Sequence, residues 1–114
     1  MKKYTGEKFI KDGKIAVLYS PGFDAGWYTW NKKYPVLLFH PVLVQKVLDG
    51  KQNELTEGEE VAKLTGEAEL SDCFLNGGAK LKIKWLSPGE VFHITEYDGS
   101  ESIEINGNDN FIEA

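Results

Sequence analysis

Apolar and polar residues alternate in two different rhythms along this chain, and the two rhythms predict its elements. Phe9-Ile10-Lys11 and Lys14 to Tyr19 flank Asp12-Gly13, a pair that tolerates the positive φ angles of a two-residue type I′ turn, so this stretch predicts a β-hairpin. Ile15 to Tyr19 is apolar on both faces, as a central strand requires. Ser20-Pro21-Gly22 ends it. Tyr34 should be extended because it precedes Pro35, and Val36 to Phe39 reads as a short apolar strand. From His40-Pro41 the period becomes helical, with Leu43, Val44, Val47 and Leu48 on one face and Gly50 as the stop, which predicts a helix over about Pro41 to Asp49 with His40 placed to cap it. Thr56-Glu57-Gly58-Glu59 matches a capping box and predicts a second helix over about Glu57 to Leu64, in which Gly58 costs about 1 kcal/mol relative to alanine.

Glu67 to Leu75 fits either a helix or an irregular segment, closed by Asn76-Gly77-Gly78. Period two begins at Lys80, where Leu81, Ile83 and Trp85 alternate with Lys80, Lys82 and Lys84. Val91 to Tyr97, with Phe92 and Ile94 inward, and Ser102 to Ile105, with Ile103 and Ile105 inward, follow across an Asp98-Gly99 turn. These three strands predict a C-terminal three-stranded antiparallel meander. Residues 106–114 are expected to form a flexible tail, tacked down by Phe111 and Ile112. With no internal repeat, no linker and no regular βαβ alternation, the expected class is α+β, a single domain over residues 1–114 with an N-terminal hairpin, two or three short helices and the meander.

Composition narrows the function. At 114 residues one core is expected, burying roughly two-thirds of the surface of the unfolded chain. No apolar run approaches the ~18 residues of a membrane span, and the charged start lacks the apolar segment of a secretory signal. The single cysteine, Cys73, fits a reducing compartment, so a cytoplasmic protein is expected. The net charge of −5 argues against direct nucleic-acid binding, and every basic residue is lysine, so the bidentate fork of arginine is missing.

The aromatic residues crowd into one place. Phe23, Trp27, Tyr28, Trp30, Tyr34 and Phe39 lie in or just after Gly22 to Pro35, where glycines and a proline mark irregular backbone. Trp27, Tyr28, Trp30 and Tyr34 are candidate binding residues, as a stacking wall or as hot spots against another protein, with Asp24 and Asn31 beside them; the competing reading is a plug in the core. Asp24 is the carboxylate set apart, because desolvation among aromatics would raise its pKa. The Gly22 to Gly26 run is not a phosphate loop, since it is followed by tryptophan instead of Lys-Ser/Thr. His40, His93 and Cys73 have no metal-ligand spacing, Cys73 reads as a structural thiol, and no metal or cofactor is expected. The row Lys80, Lys82, Lys84 reads as a solvated face lying across from His93, Thr95 and Tyr97 and paired with Glu101 and Glu104.

Two phrases, Ser20-Pro-Gly-Phe-Asp-Ala-Gly-Trp-Tyr-Thr-Trp-Asn31 and Glu96-Tyr-Asp-Gly-Ser-Glu-Ser-Ile-Glu104, resemble segments of small bacteriophage and prophage proteins. The resemblance covers under a fifth of the chain and carries no catalytic residue. It implies a setting in which small acidic proteins bind and inhibit a host factor, including defence systems, or sequester a signalling nucleotide. The expected function is therefore a non-enzymatic binding protein whose partner is a host protein engaged through the aromatic loop, or a nucleotide-like ligand stacked on the same rings. Two alternatives stand beside it: a small hydrolase using Asp24 with His40 or His93, and a nucleic-acid mimic built on the acidic surface.

Overall fold

A computed structural model describes residues 2–22, 26–105 and 112–114. The N-terminal hairpin forms as its sequence dictates: β2 (Ile10–Lys11) and β3 (Lys14–Tyr19) pair antiparallel around Asp12 and Gly13, at φ 52° and 77°. Asp98 and Gly99, at φ 51° and 85°, make the equivalent turn between β5 (Val91–Tyr97) and β6 (Ser100–Ile105). Ile15, Ala16, Val17 and Leu18 are buried, so β3 is the central strand its sequence describes.

The class is α+β, with the strands in two sheets and the short helices in the stretch from residue 36 to residue 80. A C-terminal antiparallel sheet is present, but its strands are β6, β5 and β7 (Ile112–Glu113), with β1 (Lys2–Lys3) added parallel to β7. The lysine-bearing strand β4 (Lys82–Leu86) does not join it. It pairs with β3, placing Lys84 opposite Val17 and Lys82 opposite Tyr19, so the row does not face His93, Thr95 and Tyr97. Alternation specifies which face of a strand is wet and says nothing of which neighbour it takes. Ile112 and Ala114 are buried and Ala114 exchanges backbone bonds with Gly89 and Glu90, so the last three residues are fixed in the fold. The expected tail at 106–111 lies outside the described residues.

Val36–Phe39 is a helical turn, α1, where a strand was expected. Four consecutive apolar residues cannot distinguish the two by periodicity, and Pro35, at φ −58°, already holds the backbone angle of a helix start. All four residues are buried, and Phe39 stacks on Tyr4 at 5.3 Å and meets Phe92 edge-on at 6.3 Å. Helix α2 (Pro41–Leu48) follows, capped by His40, whose Nδ1 accepts from the Val42 amide at 3.2 Å.

Helix α3 (Gly58–Thr65) starts without the capping box: Glu57 is its N-cap, and no side chain bonds the first turn. Thr56 instead closes the 3-10 turn Gln52–Leu55. Gly58 has a structural reason, since a Cβ there would lie 2.7 Å from the carbonyl oxygens of Leu70 and Ser71. These belong to a second 3-10 turn, Ala68–Asp72, which occupies the ambiguous stretch, and a third spans Asn76–Lys80.

Candidate functional site

The chain between β3 and α1 carries the candidate residues, and its backbone explains where each one points. Trp27 is fully buried. Its indole Nε1–H donates to the Leu37 carbonyl at 2.7 Å. In a continuous helix that carbonyl would take the amide four residues on, but residue 41 is proline and has none to give. The tryptophan therefore completes the helix junction as well as filling the core. Tyr28 is 4 % exposed; burial, and then the negative charge of Glu101, push its phenol pKa up, so it is neutral at physiological pH. Tyr34 is partly buried against the same core.

Trp27 and Tyr28 are thus interior groups. A binding wall made of them would have to leave water-excluded packing to meet a ligand, so the sequence reading of these two as surface residues is corrected. Asp24 lies outside the described residues.

Trp30 points the other way. It is 42 % exposed and stacks at 5.1 Å, tilted by 32°, on Phe74, which is 50 % exposed. Phe74 carries no local pattern that marks it; it sits between Cys73 and Leu75 in the stretch whose structure the sequence leaves ambiguous. The pair rests on a sewn base. Asn31 donates from Nδ2 to the carbonyls of Trp27 (2.8 Å) and Phe74 (2.7 Å) and accepts from the Phe74 amide at 3.3 Å through Oδ1. The Gly77 backbone N–H adds a hydrogen bond to the Gly26 carbonyl at 2.9 Å. Gly26 has to be glycine, because a Cβ would run into the Trp30 ring. Asn31 is consequently a fastener: its amide is spent on backbone, and it is not the ligand contact that its place in the loop suggests.

Beneath the loop lies a residue that was read as solvated, Glu101. It is 1 % exposed. Oε1 accepts the Ser20 amide at 2.9 Å; Oε2 accepts the Trp27 amide at 3.2 Å and both the amide and the hydroxyl of Thr29 at 2.8 Å. The signal was available, because Glu101 shares the phase of Ile103 and Ile105 along its strand and so belongs on the inward face.

The two histidines are engaged separately. His93 lies across from Glu104 with Nε2 3.4 Å from its carboxylate, and its buried Nδ1 has no hydrogen-bond partner among the described residues. Burial lowers the pKa of His40, against the opposing pull of Glu7, Glu67 and the Thr65 backbone. Among the described residues no group of three His, Cys, Asp or Glu side chains could hold a metal ion. The Cys73 thiol is pushed up by burial and by Asp72 and Glu69, which makes it a poor nucleophile at neutral pH.

No protein-family model, curated protein or solved structure matches the chain. Its chemistry has to be read from the site itself. No helix of the described residues is long and apolar enough to cross a membrane.

The His40 cap makes a pH prediction. Protonating Nδ1 would remove the acceptor for Val42, and a histidine whose folded pKa lies below its unfolded value takes up protons more readily unfolded. Its contribution is therefore complete above about pH 6.5 and is lost as pH falls through the lower folded value. His40→Asn keeps a capping oxygen without titrating. Urea midpoints at pH 7.5 and 5.0 should fall further for the wild type than for this variant; equal falls would show that the cap does not titrate.

Proposed function

We propose that this is a non-enzymatic binding protein whose contact surface is the Trp30–Phe74 pair and whose partner is another protein. The observation that carries the reading is the pair itself: two large aromatic side chains, each roughly half exposed, stacked on a backbone already fastened by Asn31, Gly26 and Gly77. Rigid aromatic anchors lose little conformational freedom on binding, and residues of this kind supply most of the energy at protein interfaces. The rings touch each other, which leaves no slot for a base between them and favours insertion into an apolar pocket over sandwiching of a nucleotide.

The rim carries charges of both signs. Exposed Lys32 and Lys33 follow Trp30 in the chain, and exposed Asp72 lies two residues before Phe74, with Glu69 close enough to act on Cys73 beside it. Rim charges of this sort act on association rate and salt dependence. The resemblance to bacteriophage and prophage segments supports a host protein in this role, inhibited by being bound.

The test compares wild type with Trp30→Ala/Phe74→Ala in affinity capture from bacterial lysate, followed by titration of the purified captured protein. Because both side chains are half exposed, the double variant should stay folded while affinity falls at least about 30-fold, the size of a hot-spot loss. Capture of the same proteins with unchanged affinity would remove the proposal.

A further inference from the structure

Glu101 directs both of its carboxylate oxygens to the segment that presents Trp30. The Ser20 amide at the start of that segment and the Trp27 and Thr29 groups at its end converge on one carboxylate. The strand carrying it adds two more bonds, from the Glu101 amide to the Ser20 carbonyl at 2.7 Å and from the Ser100 hydroxyl to the Pro21 carbonyl at 2.6 Å. Both ends of residues 20–29 are thereby closed onto a two-residue stretch at the start of β6, and Trp30 is the next residue out.

We propose that Glu101 is the positioning residue of the aromatic surface: through Ser20, Trp27 and Thr29 it holds Trp30 in place against Phe74, and it makes the β5–β6 hairpin part of that surface's support. The assignment of a surface to be positioned rests on the reading of Trp30 and Phe74 given above. The carboxylate suits the task because it is acceptor-only with two oxygens, and all four groups pointing at it are donors. An amide cannot replace it. Glutamine can turn its oxygen toward Trp27 and Thr29, but its NH2 then faces the Ser20 amide, donor against donor. Aspartate falls short by one methylene.

The experiment follows the tryptophans directly and needs no partner. The chain has three, Trp27, Trp30 and Trp85, so protein labelled with 5-fluorotryptophan gives three fluorine resonances, assigned by Trp30→Phe and Trp85→Phe. Glu101→Gln should shift and broaden the Trp30 line and speed amide exchange at Thr29 at least tenfold, while the Trp85 line stays in place. Thr29→Val, which removes only the hydroxyl bond, should move Trp30 in the same direction by less, and serves if Glu101→Gln does not fold. A Trp30 line unchanged in the variant that folds, or Trp30 and Trp85 lines that move together, would overturn the assignment. The capture experiment on Trp30→Ala/Phe74→Ala bears on the surface alone, so a failure there is separable from a failure here.

Discussion

Trp27→Ala should bring the protein close to unfolding, whereas Trp30→Ala, three residues away, should leave it standing. Removing a fully buried tryptophan costs about 3–5 kcal/mol in lost burial and in the cavity left behind. The Leu37 carbonyl then loses the donor that replaces the amide Pro41 lacks, worth roughly 1 kcal/mol more. Domains of this size hold about 5–15 kcal/mol in total, so the variant should show a large drop in urea midpoint or no cooperative transition at all. Trp30 is 42 % exposed and rests on Phe74 and Gly26, so its loss should cost about 1 kcal/mol or less. Equal midpoints for the two variants would show that the indole of Trp27 is not part of the core. The contrast also guards the binding test, because a variant that includes Trp27 loses binding simply by losing the fold.

The same loop shows what the sequence makes legible. Turns were readable because their chemistry is local: Asp12-Gly13 and Asp98-Gly99 need positive φ, and each adopts it. Helix α2 was readable because its apolar stripe, its proline start and its glycine stop agree. Pairing was not readable. Lys82 and Lys84 announce a strand with one wet face, and only the tertiary fold decides that the neighbour is β3. Val36–Phe39 is apolar throughout, so burial overrode any periodic signal that would separate a strand from a turn of helix.

At the site, composition located the right loop and could not sort its members. Trp27 and Trp30 are the same residue type three positions apart; one enters the core, where its N–H serves the Leu37 carbonyl whose partner four residues on is a proline, and the other is held out by Asn31 and by the glycine beneath its ring. Phe74, across from it, comes from a segment 43 residues beyond Asn31 and becomes part of the site only through that residue's bonds. Glu101 was misjudged because acidic residues near a turn are usually solvated, although its phase with Ile103 and Ile105 pointed inward.

Glu101→Ala should be the most damaging polar substitution among the described residues. It deletes an acceptor shared by the Ser20 and Trp27 amides, which are buried, and by the Thr29 amide and hydroxyl, which are partly so. An unsatisfied buried donor costs about 1–3 kcal/mol, and some of these groups can reach water once the loop opens, so the expected loss is about 3–5 kcal/mol instead of the full sum. Glu101→Gln keeps the oxygen that accepts from Trp27 and Thr29 and should cost about half as much. Because Thr29 bonds this carboxylate, the Glu101→Ala and Thr29→Val substitutions should not add: a double-mutant cycle read from urea unfolding should give a coupling of roughly 0.5–3 kcal/mol. Additive effects within about 0.5 kcal/mol would mean that the carboxylate and the Thr29 hydroxyl do not act together, and the carboxylate would then be a buried charge tolerated by the fold without being the knot that closes it.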